Sequence, residues 1–271
     1  MRADEFLGLE VVDDDPCHTV FELVPHLARL DGALYGGSAL AASLEAFETA
    51  TVRPALWGTT QFIGQAPIGS RIEQRVEILA EGRNVCQVRL TATRDRELLY
   101  TALGATARPR TGPTGELTGT GATMPTVPPP EQGVMREHHL EAAEFGYHLI
   151  SEFRRVDYPP DPATGGEPPG HVAIWARLDG ETHNTAASLA FLGDMVPLAV
   201  AHATGEYGAG TSLDNTLRVG HLVETEWVLL DIEGSTAHDG YGHGHAHLWS
   251  MDGTLLATSS QSSPLLVFPR A

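Results

Sequence analysis

What most constrains this chain is one order of elements written twice. An alternating stretch at residues 18–27 reads as a strand, and Gly36-Gly37-Ser38 then opens an alanine-rich apolar segment at helical spacing over 39–50. Strand-like runs follow at 58–64, 71–80, 84–94 and 97–107. The order returns with a strand at 171–178, a helical segment at about 185–202, and strands at 212–219, 225–232, 242–250 and 255–261. Between the two copies, residues 109–133 have the Gly, Thr and Pro content of a linker and no apolar period. Residues 158–170 are too rich in Pro and Gly for helix or central strand and are expected as a surface loop.

Residues echo as well as order. Arg96-Glu97-Leu98-Leu99-Tyr100-Thr101-Ala102 mirrors Gly253-Thr254-Leu255-Leu256-Ala257-Thr258-Ser259, each after an aspartate, Asp95 or Asp252, in a hairpin-type turn. A helix apolar all round, as over 38–47, must be surrounded, and a curled antiparallel sheet does that. One such unit leaves a sheet face and edge open, whereas two side by side bury more. The expected fold is α+β, each half a long apolar helix wrapped by a curled antiparallel sheet. The expected divisions are 1–108, a linker at 109–133, and 134–271.

Charge and cysteine usage narrow the function. All 17 basic residues are arginine, and the net charge is −18, which repels phosphate backbones and anionic lipid. Neither a nucleic-acid nor a membrane partner is expected. No apolar run is read as long enough to span a bilayer, and the acidic start, Met1 to Asp15, lacks the order of a signal peptide. A cytoplasmic location is expected, and the two cysteines, Cys17 and Cys86, are read as reduced thiols. His243, His245 and His247 alternate on a strand, but no convergent ligands accompany them, so no metal is expected. No Gly-x-Ser-x-Gly elbow is present, which disfavours a serine hydrolase.

Several motifs in the second half resemble those of the TesB-like acyl-CoA thioesterases, a double hot-dog family. Trp175-Ala176-Arg177-Leu178-Asp179-Gly180 is similar to the family's Trp-x-Arg-x-(Asn/Asp)-Gly, followed by His183 and Leu189-Ala190-Phe191-Leu192-Gly193-Asp194. Thr211-Ser212-Leu213-Asp214-Asn215 resembles a Thr-Ile-Asp-His strand, with Asn215 where the family has His. Glu226 to Leu230 and the run from Asp252 to Gln261 complete the series, and Leu34-Tyr35-Gly36-Gly37 resembles the opening of the family's N-terminal helix. The resemblance implies a tandem hot-dog and hydrolysis of an acyl-CoA thioester without a cofactor. It also implies a homo-oligomer, dimer or larger, and a water held by Asp194, Ser212 and Gln261, with Thr211 as the alternative hydroxyl.

The residues make chemical sense of that assignment. A carboxylate in the apolar stretch Leu192-Gly193-Asp194-Met195-Val196 is costly to bury without partners, and burial raises its pKa toward that of a useful base. Backbone N–H groups at a helix start near Gly36 and Gly37 are candidates to receive the thioester oxygen. Gly104 falls opposite Gln261 in the repeat and offers no side chain, so one half per chain is expected to be active. A non-catalytic acyl-CoA-binding module and an enoyl-CoA hydratase or dehydratase stand as alternatives.

Overall fold

Alanine and leucine dominate Gly36–Thr51, and in the computed structural model these residues form one helix with almost every side chain in its first three turns buried. The structure describes residues 3–135, 144–163, 165–166, 168–180, 185–204 and 208–267; His183 lies outside them. The first half runs α1 (Ala3–Leu7), β1 (Glu10–Val12), β2 (Asp15–Glu22), α2 (Gly36–Thr51), β3 (Ala55–Phe62), β4 (Arg71–Glu81), β5 (Val85–Arg94) and β6 (Glu97–Ala107). The second runs β7 (Val134–Met135), β8 (Ser151–Val156), β9 (His171–Leu178), α3 (Ala186–Leu192), α4 (Val196–Ala203), β10 (Gly208–Gly210), β11 (Asp214–Val219), β12 (Val228–His238), β13 (Tyr241–Ser250) and β14 (Leu255–Val267).

All the strands but β10 lie side by side in the order β1-β2-β4-β5-β6-β3-β11-β14-β13-β12-β9-β8-β7, and β10 pairs with β14. The run β2-β4-β5-β6-β3, read inward to the centre, is thus repeated from the other side as β9-β12-β13-β14-β11. The halves meet where β3 and β11 pair antiparallel, with Thr216 opposite Thr59. At this seam the Thr216 hydroxyl donates to Thr59 Oγ1 at 2.7 Å. Pairing these two strands removes one exposed edge from each half. A single apolar core runs through both, with Leu40, Leu44 and Phe47 of α2 joined to Leu189, Phe191, Val196 and Val200 of α3 and α4.

Two expectations need correction. The helical segment expected at 185–202 is two helices, broken at Gly193, Asp194 and Met195. Thr185 caps α3 through a capping box with Ser188, and Pro197 sits in the first turn of α4, where its missing N–H costs nothing. The same stretch, Ala186–Ala203, is long and apolar enough by composition to cross a membrane, contrary to the sequence reading, although 83% of it is buried inside the protein.

The stretch at 109–133 lacks regular structure over most of its length, but it is no free tether. Ala122, Met124 and Val127 pack against a second apolar cluster that holds Trp175, Trp227 and Trp249 on β9, the approach to β12, and β13. Trp175 Nε1 donates to the Pro128 carbonyl at 2.8 Å. The strap covers indole surface that would otherwise face water.

Candidate active site

The break between α3 and α4 makes the site. A helix end leaves carbonyls and N–H groups without partners. Here they are met by side chains from elsewhere in the chain. The Tyr35 hydroxyl donates to the carbonyls of Phe191 at 3.1 Å and Asp194 at 3.3 Å. Val196 N–H, at the start of α4, donates to Gln261 Oε1 at 3.0 Å. That bond fixes the Gln261 amide, so its NH2 faces the break. From there Nε2 donates to the Asp194 carboxylate at Oδ1 and to Ser212 Oγ, the latter at 3.0 Å.

Asp194, Ser212 and Gln261 therefore come together as expected, and Ser212 is the hydroxyl that Gln261 reaches, not Thr211. Ser212 stands two residues ahead of β11 rather than at its start, and Asp194 lies in the helix break rather than within a helix. A fourth side chain joins them. Asn215 Nδ2 donates to Asp194 Oδ1 at 3.1 Å. The sequence signal that could have found it was its inward-facing place on β11, three residues after Ser212.

The first half supplies the rest. Gly37 N–H, in the first turn of α2, donates to Asp194 Oδ2 at 2.7 Å. This is where a helix N-terminus holds an anion best. The Gly37 N–H expected to wait for a thioester oxygen is therefore occupied by the carboxylate. Gly36 is left at the first helical position, and its N–H has no acceptor among the described residues. Both glycines are required by close approach. A Cβ on Gly36 would sit 2.7 Å from Asp194 Oδ2, and one on Gly37 would sit 2.7 Å from the Phe191 carbonyl.

Burial pushes the Asp194 pKa from an ordinary 3.8 up to about 7. The Gln261 hydrogen bond, the Gly37 N–H, the positive charge of Arg29 and the Ser212 hydroxyl all pull the other way. The side chain is only partly exposed, so loss of water outweighs those partners. Among the described residues, Oδ1 accepts from both Gln261 and Asn215, and Oδ2 accepts from the Gly37 N–H. Oδ2 keeps a lone pair for a further donor, which makes it the basic atom of the pair.

The histidine run lies on β13, as the sequence suggested, on the outer side of the second half's sheet. His245 Nε2 is 3.7 Å from Glu233 Oε2, and His247 Nδ1 is 3.9 Å from Asp231 Oδ2. His245 and His247 each face the acid opposite on β12 rather than a common centre, His243 lies opposite Thr236, and no metal-holding group of His, Cys, Asp and Glu exists among the described residues. Cys17 and Cys86 are both free thiols, and neither contributes to the cluster around Asp194.

Known proteins share this architecture. Residues 25–108 match the family model for the acyl-CoA thioesterase N-terminal domain, and residues 123–265 match that for the C-terminal domain. No curated protein matches the chain. Among solved structures, a candidate thioesterase from Novosphingobium aromaticivorans is 30% identical with a TM-score of 0.82, covering 96% of this chain and 98% of its own. A hot-dog protein from Alicyclobacillus acidocaldarius is 20% identical with a TM-score of 0.79, over 99% of this chain and 98% of its own. The acyl-CoA thioesterase II TesB2 of Mycobacterium marinum is 17% identical with a TM-score of 0.72, over 100% and 99%, and likeness at that level is one of fold. The tandem hot-dog that the resemblance implies is the fold of this chain, and with both domain models matched in order, the chain belongs to the acyl-CoA thioesterase family.

Proposed function

We propose that this chain hydrolyses its acyl-CoA thioester with a water activated by Asp194 and positioned by Gln261 and Ser212. One observation carries the assignment: a carboxylate with its pKa raised to about 7, held by three donors, with one oxygen open to a fourth. A base with that pKa is half ionised near neutrality and a strong enough acceptor to help water attack. Oδ2 takes one water proton as the water oxygen bonds to the thioester carbon. The carbonyl electrons move to oxygen, and the Gly36 N–H at the start of α2 is the donor available to that oxyanion. Collapse re-forms the carbonyl and breaks the carbon–sulfur bond. The proton held on Oδ2 passes to the departing sulfur, giving free acid and coenzyme A thiol.

The same reading places the protein in the cytoplasm as a homo-oligomer, with acyl-CoA as its partner and neither nucleic acid nor membrane. Its acidic composition supports the exclusions, and the open strand edges at β1 and β7 support self-association. The reaction is read as needing no cofactor. Incubation with a panel of acyl-CoA esters and a thiol-trapping dye tests the function directly. Thiol release by the parent, abolished in Asp194→Asn, is the expected result. Acyl-CoA binding without thiol release from any ester would replace hydrolysis with a binding role, and a hydrated enoyl-CoA would move the chain to another reaction class.

A further inference from the structure

We propose that Asn215 is a positioning residue for the Asp194 base, holding Oδ1 so that Oδ2 alone is presented to the water. The inference rests on the role given to Asp194 above. Asn215 is 1% exposed, and among the described residues its side chain makes one hydrogen bond, from Nδ2 to Asp194 Oδ1 at 3.1 Å. Its own Oδ1 is buried with no partner. A buried amide with an unsatisfied oxygen weakens a fold, and a Val at an inward position of β11 would pack without that penalty. Stability therefore gives no reason for an asparagine here. Among the described residues, the one hydrogen bond this side chain makes is to the carboxylate.

The contrast with Gln261 is informative. Gln261 has its oxygen tied to Val196 N–H and its nitrogen shared between Asp194 and Ser212, so it braces α4 as well as the site. Asn215 braces nothing else. The two residues flank the registered pair of Thr216 on β11 and Ser260 on β14, so they approach Oδ1 from adjacent strands. With both in place Oδ1 is filled and the carboxylate plane is set. Few other charges bear on Asp194. Arg29, paired with Asp31, lies ahead of α2 and lowers its pKa. Asp214 on β11 accepts from Ser262 N–H, Arg218 is exposed at the other end of that strand, Glu48 is held by Ala55 N–H at the far end of α2, and His202 is in the last turn of α4. On α2, Glu45 is the other acid.

Asn215→Leu keeps the volume and removes the donor, and kcat/KM on the full chain is followed from pH 5 to 9. The carboxylate loses a bond that favours its charged form, so the acid limb moves to higher pH by about one unit. At pH 6 activity should fall about tenfold, while at pH 9, where the base is ionised in both proteins, it should stay within about threefold of the parent with KM unchanged. An equal loss at every pH with the limb unmoved would reduce Asn215 to a packing residue and overturn the proposal, as would parental behaviour throughout. Should the Leu variant fail to fold in a thermal melt, Asn215→Asp decides. That isosteric second carboxylate would share a proton with Asp194 and split the titration of the pair, so the acid limb must move by more than one unit in one direction or the other, and an unmoved limb overturns the proposal. Asp194→Asn is run in parallel. Full activity there removes the base itself, whereas a dead Asp194→Asn beside an unmoved Asn215 limb refutes only the present inference.

Discussion

The same position in the two halves holds a buried polar cluster on one side and only hydrocarbon on the other. Counting from the helix caps, Asp194 stands as far beyond Thr185 as Leu44 stands beyond Tyr35. Asn215 and Gln261 on β11 and β14 fall where the first half has Gly58 and Gly104 on β3 and β6, which pair with each other. The first half fills that space with α2. A Cβ on Gly58 would come within 2.7 Å of Leu44 Cδ2, and one on Gly104 within 2.6 Å of Phe47 Cε2. Where the second half breaks its helix to seat a carboxylate, the first keeps a continuous helix and a sealed core. The unbroken helix is what the site needs from that side, because its N-terminus, at Gly36 and Gly37, faces the carboxylate of the other half. On the proposed mechanism the two halves have separate tasks, chemistry in one and a rigid anion-holding helix end in the other.

The largest effect expected from testing this division is at Asp194. Asp194→Asn should lower kcat by about 10²–10⁴-fold with KM little altered, measured by thiol release. The parent's kcat/KM should fall as pH drops through about 7, because protonation removes the base. Next comes Gln261→Ala, expected to cost roughly 10²-fold, with the double variant Asp194→Asn/Gln261→Ala little worse than Asp194→Asn alone. Fully multiplicative losses would mean the two side chains act on separate steps. Gly36→Ala tests the contribution of the first half. Its methyl would press on Asp194 Oδ2 and, at 3.1 Å, on Phe62 Cζ. Displacing the base by even an ångström should cost about 10²-fold. A fully active Gly36→Ala protein would show that the water does not approach by this side.

Stability should carry a smaller signature of the same burial. The folded pKa of Asp194 lies above its ordinary 3.8, so the proton favours the folded state. That stabilisation is complete below pH 3.8 and is lost as pH rises through about 7. Relative to the parent, Asp194→Asn should therefore gain more in Tm at pH 8 than at pH 5, by thermal melts at both values. An advantage that stays flat with pH would mean that the carboxylate is better solvated than its surroundings imply. The smallest catalytic effect belongs to the silent half. Leu44→Ala should leave kcat/KM within about threefold while destabilising the fold by about 2–5 kcal/mol, the cost of a core cavity. A selective loss of kcat there would contradict the division of tasks.

The repeated element order was readable in the residues, and the family resemblance pointed to Asp194, Ser212 and Gln261, whose side chains the fold brings into hydrogen-bonding reach. The reason is physical. A helix apolar all round and alternating strands each leave a local period, and a carboxylate in an apolar run is conspicuous without coordinates. The strands at Ser151–Val156 and Glu10–Val12 were missed because short strands carry too few alternations to stand out. Gly193 and Pro197 mark the helix break, since Pro is costly in a helix interior, but the apolar run continues through both and reads as one segment.

Tertiary structure decided the remainder. Asn215 looked like a simple departure from a motif until β11 placed it beside Asp194. Gly37 looked like an oxyanion donor until the other half's carboxylate took its N–H. The strap at 109–133 had the composition of a linker until it met three tryptophans on the outer sheet face. Local sequence sets which groups are available, through charge, shape and backbone freedom. Which donor meets which acceptor depends on contacts between residues far apart in sequence, 159 positions for Tyr35 and Asp194, and only packing two halves into one core brings those together.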